Sequence, residues 1–310
     1  MKIVCLDADT LGNDIDLNAV FSQVGEFVSY PKTAPNQVIE RLKDVDIVLT
    51  NKVVINENVI KNTNLKLICV TATGVNNIDL DAAQKAKIIV KNVADYSTNS
   101  VVQQTFASLF ALLNQTAYYD KYAKSPNGWA KSEIFVHLGK QISQISGKKF
   151  GIVGLGNIGK GVAKVAKSFG CEVGYFSTSG QNKNKKYKKL SFKKLLKCDI
   201  ISIHAPLNEN TKNLFCAKTI KRLKNGTILM NFGRGGIVDE KAVAKAIENK
   251  QIYFVSDVLS NEPISEDHPF LGLKNKDRLI LTPHIAWSSL EARKRLIEIT
   301  LENINNFMKK

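Results

Sequence analysis

Of the four histidines in the chain, His284 stands in Leu281-Thr282-Pro283-His284-Ile285-Ala286-Trp287, where an apolar run gives way to a helical pattern. Imidazole exchanges protons near neutrality and serves as a general acid or base. Glu262, just before Pro263, follows the apolar run 253–257. A carboxylate beside an imidazole stabilises the imidazolium and keeps it ready to donate. Arg234 lies in Gly233-Arg234-Gly235-Gly236, directly after the run 227–231. Glycines there permit a sharp turn and close ligand approach, and a guanidinium fork grips a carboxylate while polarising a neighbouring carbonyl. A proton donor and a carboxylate clamp are what reduction of a small 2-keto acid requires, given a hydride source. Each residue also has a plainer reading, as a capping histidine, a loop acid or half of a surface ion pair. All three follow strand-like runs, the side on which open α/β sheets hold ligands.

The hydride source is suggested by Phe150-Gly151-Ile152-Val153-Gly154-Leu155-Gly156-Asn157-Ile158-Gly159-Lys160. G-x-G-x-x-G alone is weak, but here an apolar strand precedes it and 158–169 follows at helical spacing. Gly154 suits the tight turn, Gly156 lets the backbone approach a pyrophosphate, and Gly159 allows helix and strand to pack closely. The helix N-terminus offers N–H groups and a positive dipole end to phosphate. The next strand, 172–176, is followed not by an acid but by Ser177-Thr178-Ser179-Gly180. An acid there accepts from a ribose 2′-hydroxyl and repels a 2′-phosphate. Ser177 with Lys183, Lys185 and Lys186 nearby suits the phosphate. The expected cofactor is therefore NAD(P), favouring NADP; otherwise these lysines simply solvate a loop and NAD is used.

These residues need a scaffold of alternating elements. Strand-like runs cover 2–6, 47–50, 66–70 and 88–90, then 149–153, 172–176, 200–204, 227–231, 253–257 and 279–282. Amphipathic stretches such as 35–43 and 241–249 separate them. That alternation predicts parallel sheets with helices on both faces, and so many strands favour two sheets over one. A long helix is expected over 98–118, an irregular stretch over 122–147, and a last helix over 288–308. The 310 residues, 44% hydrophobic and 23% charged, suffice for large cores. No run is long and apolar enough for a membrane helix, and the start of the chain reads as a strand rather than a signal peptide; a cytoplasmic protein is expected. The five cysteines are scattered without CxxC pairs, which suits buried hydrophobes rather than a metal site. The net charge of +16 raises nucleic-acid binding, yet the lysines are dispersed apart from the cluster at 183–189. No nucleic-acid partner is expected, and the charge reads as a solvated surface that attracts anions.

The ordered set Thr73-Gly74-Val75-Asn76-Asn77-Ile78-Asp79, the Gly154 turn, His204-Ala205-Pro206-Leu207, Asn231-Phe232-Gly233-Arg234-Gly235, Asp257 through Glu262-Pro263, and Thr282-Pro283-His284 resembles the D-isomer-specific 2-hydroxyacid dehydrogenases nearly end to end. Within them, Thr71-Ala72-Thr73-Gly74 and Val93-Ala94-Asp95-Tyr96-Ser97-Thr98 are most similar to the glycerate dehydrogenase, or hydroxypyruvate reductase, branch. The resemblance implies two doubly wound parallel-sheet domains, Rossmann- or flavodoxin-like, with a cleft between them. Residues 1–98 plus 284–310 would form the substrate domain and 99–283 the dinucleotide domain. It implies a hydride exchange between NAD(P)H and a small 2-keto or 2-hydroxy acid, with Arg234, Glu262 and His284 catalytic and Glu262 the partner of His284. Thr73, Gly74, Val75 and Arg234 would hold the substrate carboxylate, and 51–53, 71–75 and Trp129 would shape its pocket. Gly154, Gly156, Asn157, Ile158, Gly159, Ser177, Phe232, Gly233, His284 and Ala286 would line the cofactor, with Asp257 at the carboxamide and His204, Ala205, Pro206 and Thr211 on the adenosine side. No metal is implied, and a homodimer is. Kindred readings are a phosphoglycerate-dehydrogenase-like enzyme without a regulatory domain and a non-enzymatic NAD(H)-sensing corepressor-like protein. Formate dehydrogenases fit less well, since they lack the Glu partner present here at Glu262.

Overall fold

A computed structural model describes residues 1–309. The chain divides into two compact units: Met1–Ser97 together with the stretch from Ser288 on, and Thr98–Trp287. Thr98 and residues 284–287, expected with the first domain, fall in the second unit.

The first unit holds β1 (Lys2–Cys5), β2 (Glu26–Ser29), β3 (Ile47–Thr50), β4 (Leu67–Val70) and β5 (Ile89–Lys91). They form one parallel sheet in the order β2-β1-β3-β4-β5. Strands β3 and β4 are buried at every position, as continuous apolar runs require when both faces are covered. The helix Leu290–Met308 starts at Ser289, whose side chain accepts from Ala292 N–H, and buries Ala292, Leu296, Ile297, Thr300 and Ile304. It packs against β4, and Arg293 ties it to the opposite end of the unit's chain through Leu11 O at 2.9 Å and Asp14 Oδ2 at 2.7 Å.

The second unit holds β6 (Lys149–Val153), β7 (Glu172–Phe176), β8 (Lys188–Lys189), β9 (Ile200–Ile203), β10 (Thr227–Asn231), β11 (Ile252–Ser256) and β12 (Leu279–Leu281). The sheet is parallel throughout, in the order β12-β11-β10-β9-β6-β7-β8. Successive side chains feed opposite cores: Val153, Ile201, Leu229 and Phe254 enter one, and Ile152, Ile200, Ile228 and Val255 the other. Alternation across a strand makes this a three-layer unit. The order of strands reverses between β6 and β9, the place where such sheets hold ligands beyond their carboxyl ends.

Two differences from expectation have local causes. The helix expected over 98–118 is two helices, Thr98–Asn114 and Thr116–Lys124, because Gln115 adopts φ 50°. The edge strand β2 carries only Phe27 and Val28, both half-buried, too little apolar signal to separate it from a loop.

Candidate active site

The glycine turn lies at the reversal. Gly154 has φ +85°, and a Cβ there would lie 2.9 Å from His204 O, so the turn and the end of β9 meet backbone to backbone. A Cβ on Gly159 would lie 2.2 Å from Gly154 O, whereas one on Gly156 would meet nothing within 4 Å. Gly156 begins the helix Asn157–Ser168 with no side-chain cap. A helix start made of backbone alone, beside open space, fits a pyrophosphate. Beyond β7, the buried Ser177 accepts from Asn182 N–H at 3.3 Å, and Asn182 Nδ2 donates to Leu155 O at 3.1 Å. The loop thus folds back onto the glycine turn, with Lys183, Lys185 and Lys186 exposed.

His204 turns its Nε2 to Ser202 Oγ at 2.8 Å, and its ring stacks near Phe232 at 6.3 Å between centroids. Burial lowers this imidazole to about 3, so it is neutral, and its Nδ1 is buried without a hydrogen-bond partner. An orphaned polar atom beside the glycine turn is consistent with a missing polar ligand. Thr211 departs from its expected place on the adenosine wall: it is fully buried, and its hydroxyl donates to Pro206 O and accepts from Asn208 N–H at 2.7 and 2.8 Å. It closes the Pro206 turn from behind.

Arg234, Asp257 and His284 follow β10, β11 and β12, which are adjacent in the sheet. Neighbouring strands lie about 4.8 Å apart, so the three turns occupy one short stretch of the sheet's carboxyl edge. Asn231 shapes the first: Oδ1 accepts from Gly233 N–H at 3.1 Å and Nδ2 donates to Arg234 O at 2.9 Å. The Arg234 side chain is exposed and donates to Gly233 O; no acid pairs with it among the described residues. Asp257, which the resemblance places at the carboxamide, is 3% exposed. Its carboxylate accepts from Thr282 Oγ1 at 2.5 Å and from the N–H groups of Ile285 and Ala286 at 2.9 Å each. Burial raises the Asp257 carboxyl above its ordinary range, against the pull of these donors. These bonds hold the turn carrying His284, whose backbone takes the left-handed φ 56°.

His284 Nδ1 faces Glu262 Oε2 at 2.7 Å, while Glu262 Oε1 accepts from Leu259 N–H at 2.9 Å. Both side chains are partly exposed. With Nδ1 engaged, Nε2 is the nitrogen available for proton exchange. In the first unit, Thr73, Gly74 and Val75 follow β4. Asn92 Nδ2 donates to Thr73 O at 2.7 Å, and the Gly74 and Val75 N–H groups donate to no protein atom among the described residues. Trp129 lies in the second unit, half exposed, with its indole on Phe135 O. Sequence reasoning passed over Asn231 and Asn182. A polar residue closing an apolar strand marks the first; nothing local marks the second.

No group of His, Cys, Asp and Glu among the described residues could hold a metal ion, and no helix there is long and apolar enough to cross a membrane. Cys5 and Cys69 are buried, with thiols pushed up to about 12 by desolvation.

A doubly wound sheet with an uncapped glycine turn after β6, and a histidine–carboxylate pair after the third and fourth strands from it, defines a dinucleotide-dependent oxidoreductase. Residues 106–286 match the family described as D-isomer specific 2-hydroxyacid dehydrogenase, NAD binding domain. The chain is 33% identical to the hydroxypyruvate reductase of Blautia hydrogenotrophica, covering 100% of this chain and 97% of that protein. It is 33% identical to the glycerate dehydrogenase of Methylorubrum extorquens, covering 99% and 96%. Among solved structures, an acyclic imino acid reductase in complex with NADPH and D-Arg superimposes with a TM-score of 0.85 at 26% identity, covering 100% and 97%. The chain belongs to the D-isomer-specific 2-hydroxyacid dehydrogenases.

Proposed function

We propose that this chain reduces a short 2-keto acid, of the hydroxypyruvate or glyoxylate type, to its D-2-hydroxy acid with NADPH. The observation that carries the reading is the 2.7 Å pair of His284 and Glu262 at the sheet edge that also carries the unpaired Arg234. Gly154, Gly156, Asn157, Ile158 and Gly159 would hold the pyrophosphate of the dinucleotide, which supplies the hydride when bound. Arg234 grips the substrate carboxylate and polarises the keto oxygen. The free amides of Gly74 and Val75 are further donors suited to a carboxylate. His284 Nε2 gives its proton to the keto oxygen as charge develops there. Glu262 orients the ring and sustains its cationic form until that transfer. In the direction of oxidation the same nitrogen accepts the proton.

Ser177 in place of an acid, with Lys183, Lys185 and Lys186 exposed nearby, supports NADPH over NADH. The NADPH-bound imino acid reductase is consistent with this. A cytoplasmic homodimer is part of the same reading. Phe135 and Leu138, 88% and 81% exposed, give the second unit an apolar strip of the kind that partners cover. Sedimentation of Phe135→Asp should then show monomers.

The decisive assay follows reduced-nicotinamide absorbance, crossing NADH and NADPH with hydroxypyruvate, glyoxylate, pyruvate and phenylpyruvate. Turnover should favour NADPH with one of the first two acids, and His284→Ala should lower kcat about 10²–10⁴-fold. Near-wild-type turnover of that variant overturns the assignment of His284. A clear preference for NADH overturns the reading of Ser177 and the lysines.

A further inference from the structure

The turns that carry Arg234 and Glu262 touch each other. A Cβ on Gly235 would lie 2.0 Å from Leu259 O and 2.5 Å from Ser260 N, so only glycine lets the two backbones meet this closely. Behind the contact lies Glu240, which opens the helix Glu240–Glu248 and is 13% exposed at its side chain. Its Oε1 accepts from Ser260 N–H at 2.7 Å and from Ser260 Oγ–H at 2.9 Å. Ser260 Oγ in turn accepts from Gly236 N–H at 3.0 Å. The hydroxyl therefore links a residue two positions after Arg234 to one two positions before Glu262, through a single atom.

The other carboxylate oxygen, Oε2, lies 2.9 Å from His268 Nε2. Phe270 N–H donates to His268 Nδ1 at 3.3 Å, which requires that nitrogen to carry no proton. The proton of the neutral ring then sits on Nε2 and is donated to Glu240. His268 is 9% exposed, and this arrangement satisfies both of its nitrogens. Glu240 receives three donors, and bonds to an ionised acceptor are the stronger kind. At its His268 end the network meets the core, where the ring packs against the buried Phe270 at 4.8 Å between centroids, whereas at its other end Ser260 is exposed.

We propose that Glu240, Ser260 and His268 are positioning residues that fix the Arg234 turn against the Glu262 turn. They set the spacing between the carboxylate clamp and the acid that orients His284. The inference rests on the catalytic reading of Arg234, Glu262 and His284 above. Catalysis is sensitive to such spacing, since misplacement by about 1 Å costs on the order of 10²-fold.

The test uses Ser260→Ala, which removes the hydroxyl links and keeps the Ser260 N–H bond, beside Ser260→Thr and Glu240→Gln. Ser260→Ala should lower kcat/KM for the keto acid about tenfold, through a raised KM for the keto acid as well as a reduced kcat. The dissociation constant for NADPH and the melting temperature should be unchanged. Ser260→Thr, which keeps the hydroxyl, should recover most of the loss, and Glu240→Gln should lose more than Ser260→Ala. A merely structural role would lower the active fraction and the melting temperature while leaving KM alone; that result, or wild-type kinetics in Ser260→Ala, overturns the network. His284→Ala is run in parallel. If it is inactive while Ser260→Ala is unaffected, only the network falls. If it retains turnover, the catalytic reading falls and takes the network with it.

Discussion

The carboxyl ends of the two sheets are built to the same plan and finished differently. Both sheets are parallel, and each reverses its order once, between β1 and β3 in one and between β6 and β9 in the other. At the first reversal, Asp7 follows β1 and is 5% exposed. Its carboxylate accepts from the N–H groups of Asn51, Lys52 and Val53 at 2.9, 2.7 and 3.2 Å. At the second reversal the corresponding turn is glycine, no side chain caps the helix that follows, and Gly156 faces open space. Parallel topology gathers backbone donors at such a point in either sheet. One residue then decides whether the protein's own carboxylate satisfies them or an anionic ligand does.

The largest effect should come from converting the second end into the first. In Gly156→Asp the new Cβ meets nothing within 4 Å, and aspartate is a favoured residue at a helix start, so the fold should hold. The carboxylate would occupy the phosphate's place and repel it, a like-charge cost of several kcal/mol, or about 100-fold or more in affinity. Fluorescence titration with NADPH measures this; affinity within a few-fold of wild type would break the comparison. The converse variant, Asp7→Ala, leaves buried amides without their acceptor. It should cost about 1–3 kcal/mol in urea unfolding while the affinity for NADPH stays at the wild-type value, and a change confined to NADPH binding would count against the assigned roles.

The smallest effect concerns acid stability of the first unit. Its hydrogen bond from Arg293 holds the Asp14 carboxyl down at about 2, against about 3.9 for a free aspartate. The folded state therefore binds fewer protons than the unfolded one between these values. The contribution is fully present above the unfolded value and is lost as pH falls toward 2. Asp14 is solvent-exposed, so the effect is slight. Urea midpoints of wild type and Asp14→Asn should differ at pH 6 and approach one another near pH 2; a constant gap across that range would remove the pair from the account.

The central strands and the glycine turn were legible because their signals are local. β10 is a continuous apolar run ending in Asn231, and Gly154, Gly156 and Gly159 carry their roles in their spacing. Arg234 and His284 stood out as chemistry-bearing residues at strand ends. The edge strand β8 is two exposed lysines, and no pattern of side chains could have revealed it. For Asp257, sequence order shows that it ends a strand but not that the 282–286 turn folds over it and donates to its carboxylate. Glu240, Ser260 and His268 come from three separate segments, and only the packing of Gly235 against Leu259 brings them together.

Because the second unit is inserted between residue 97 and residue 288 of the first, the order of synthesis matters. Every strand of the second unit is synthesised before the helix Leu290–Met308, yet that helix supplies a buried face to β4 and, through Arg293, the tie to Leu11 and Asp14. Of the two units, the one whose strands are made earlier is thus finished later. A chain cut after Trp287 should keep every strand of the second sheet and leave bare the surface of β4 that the helix covers.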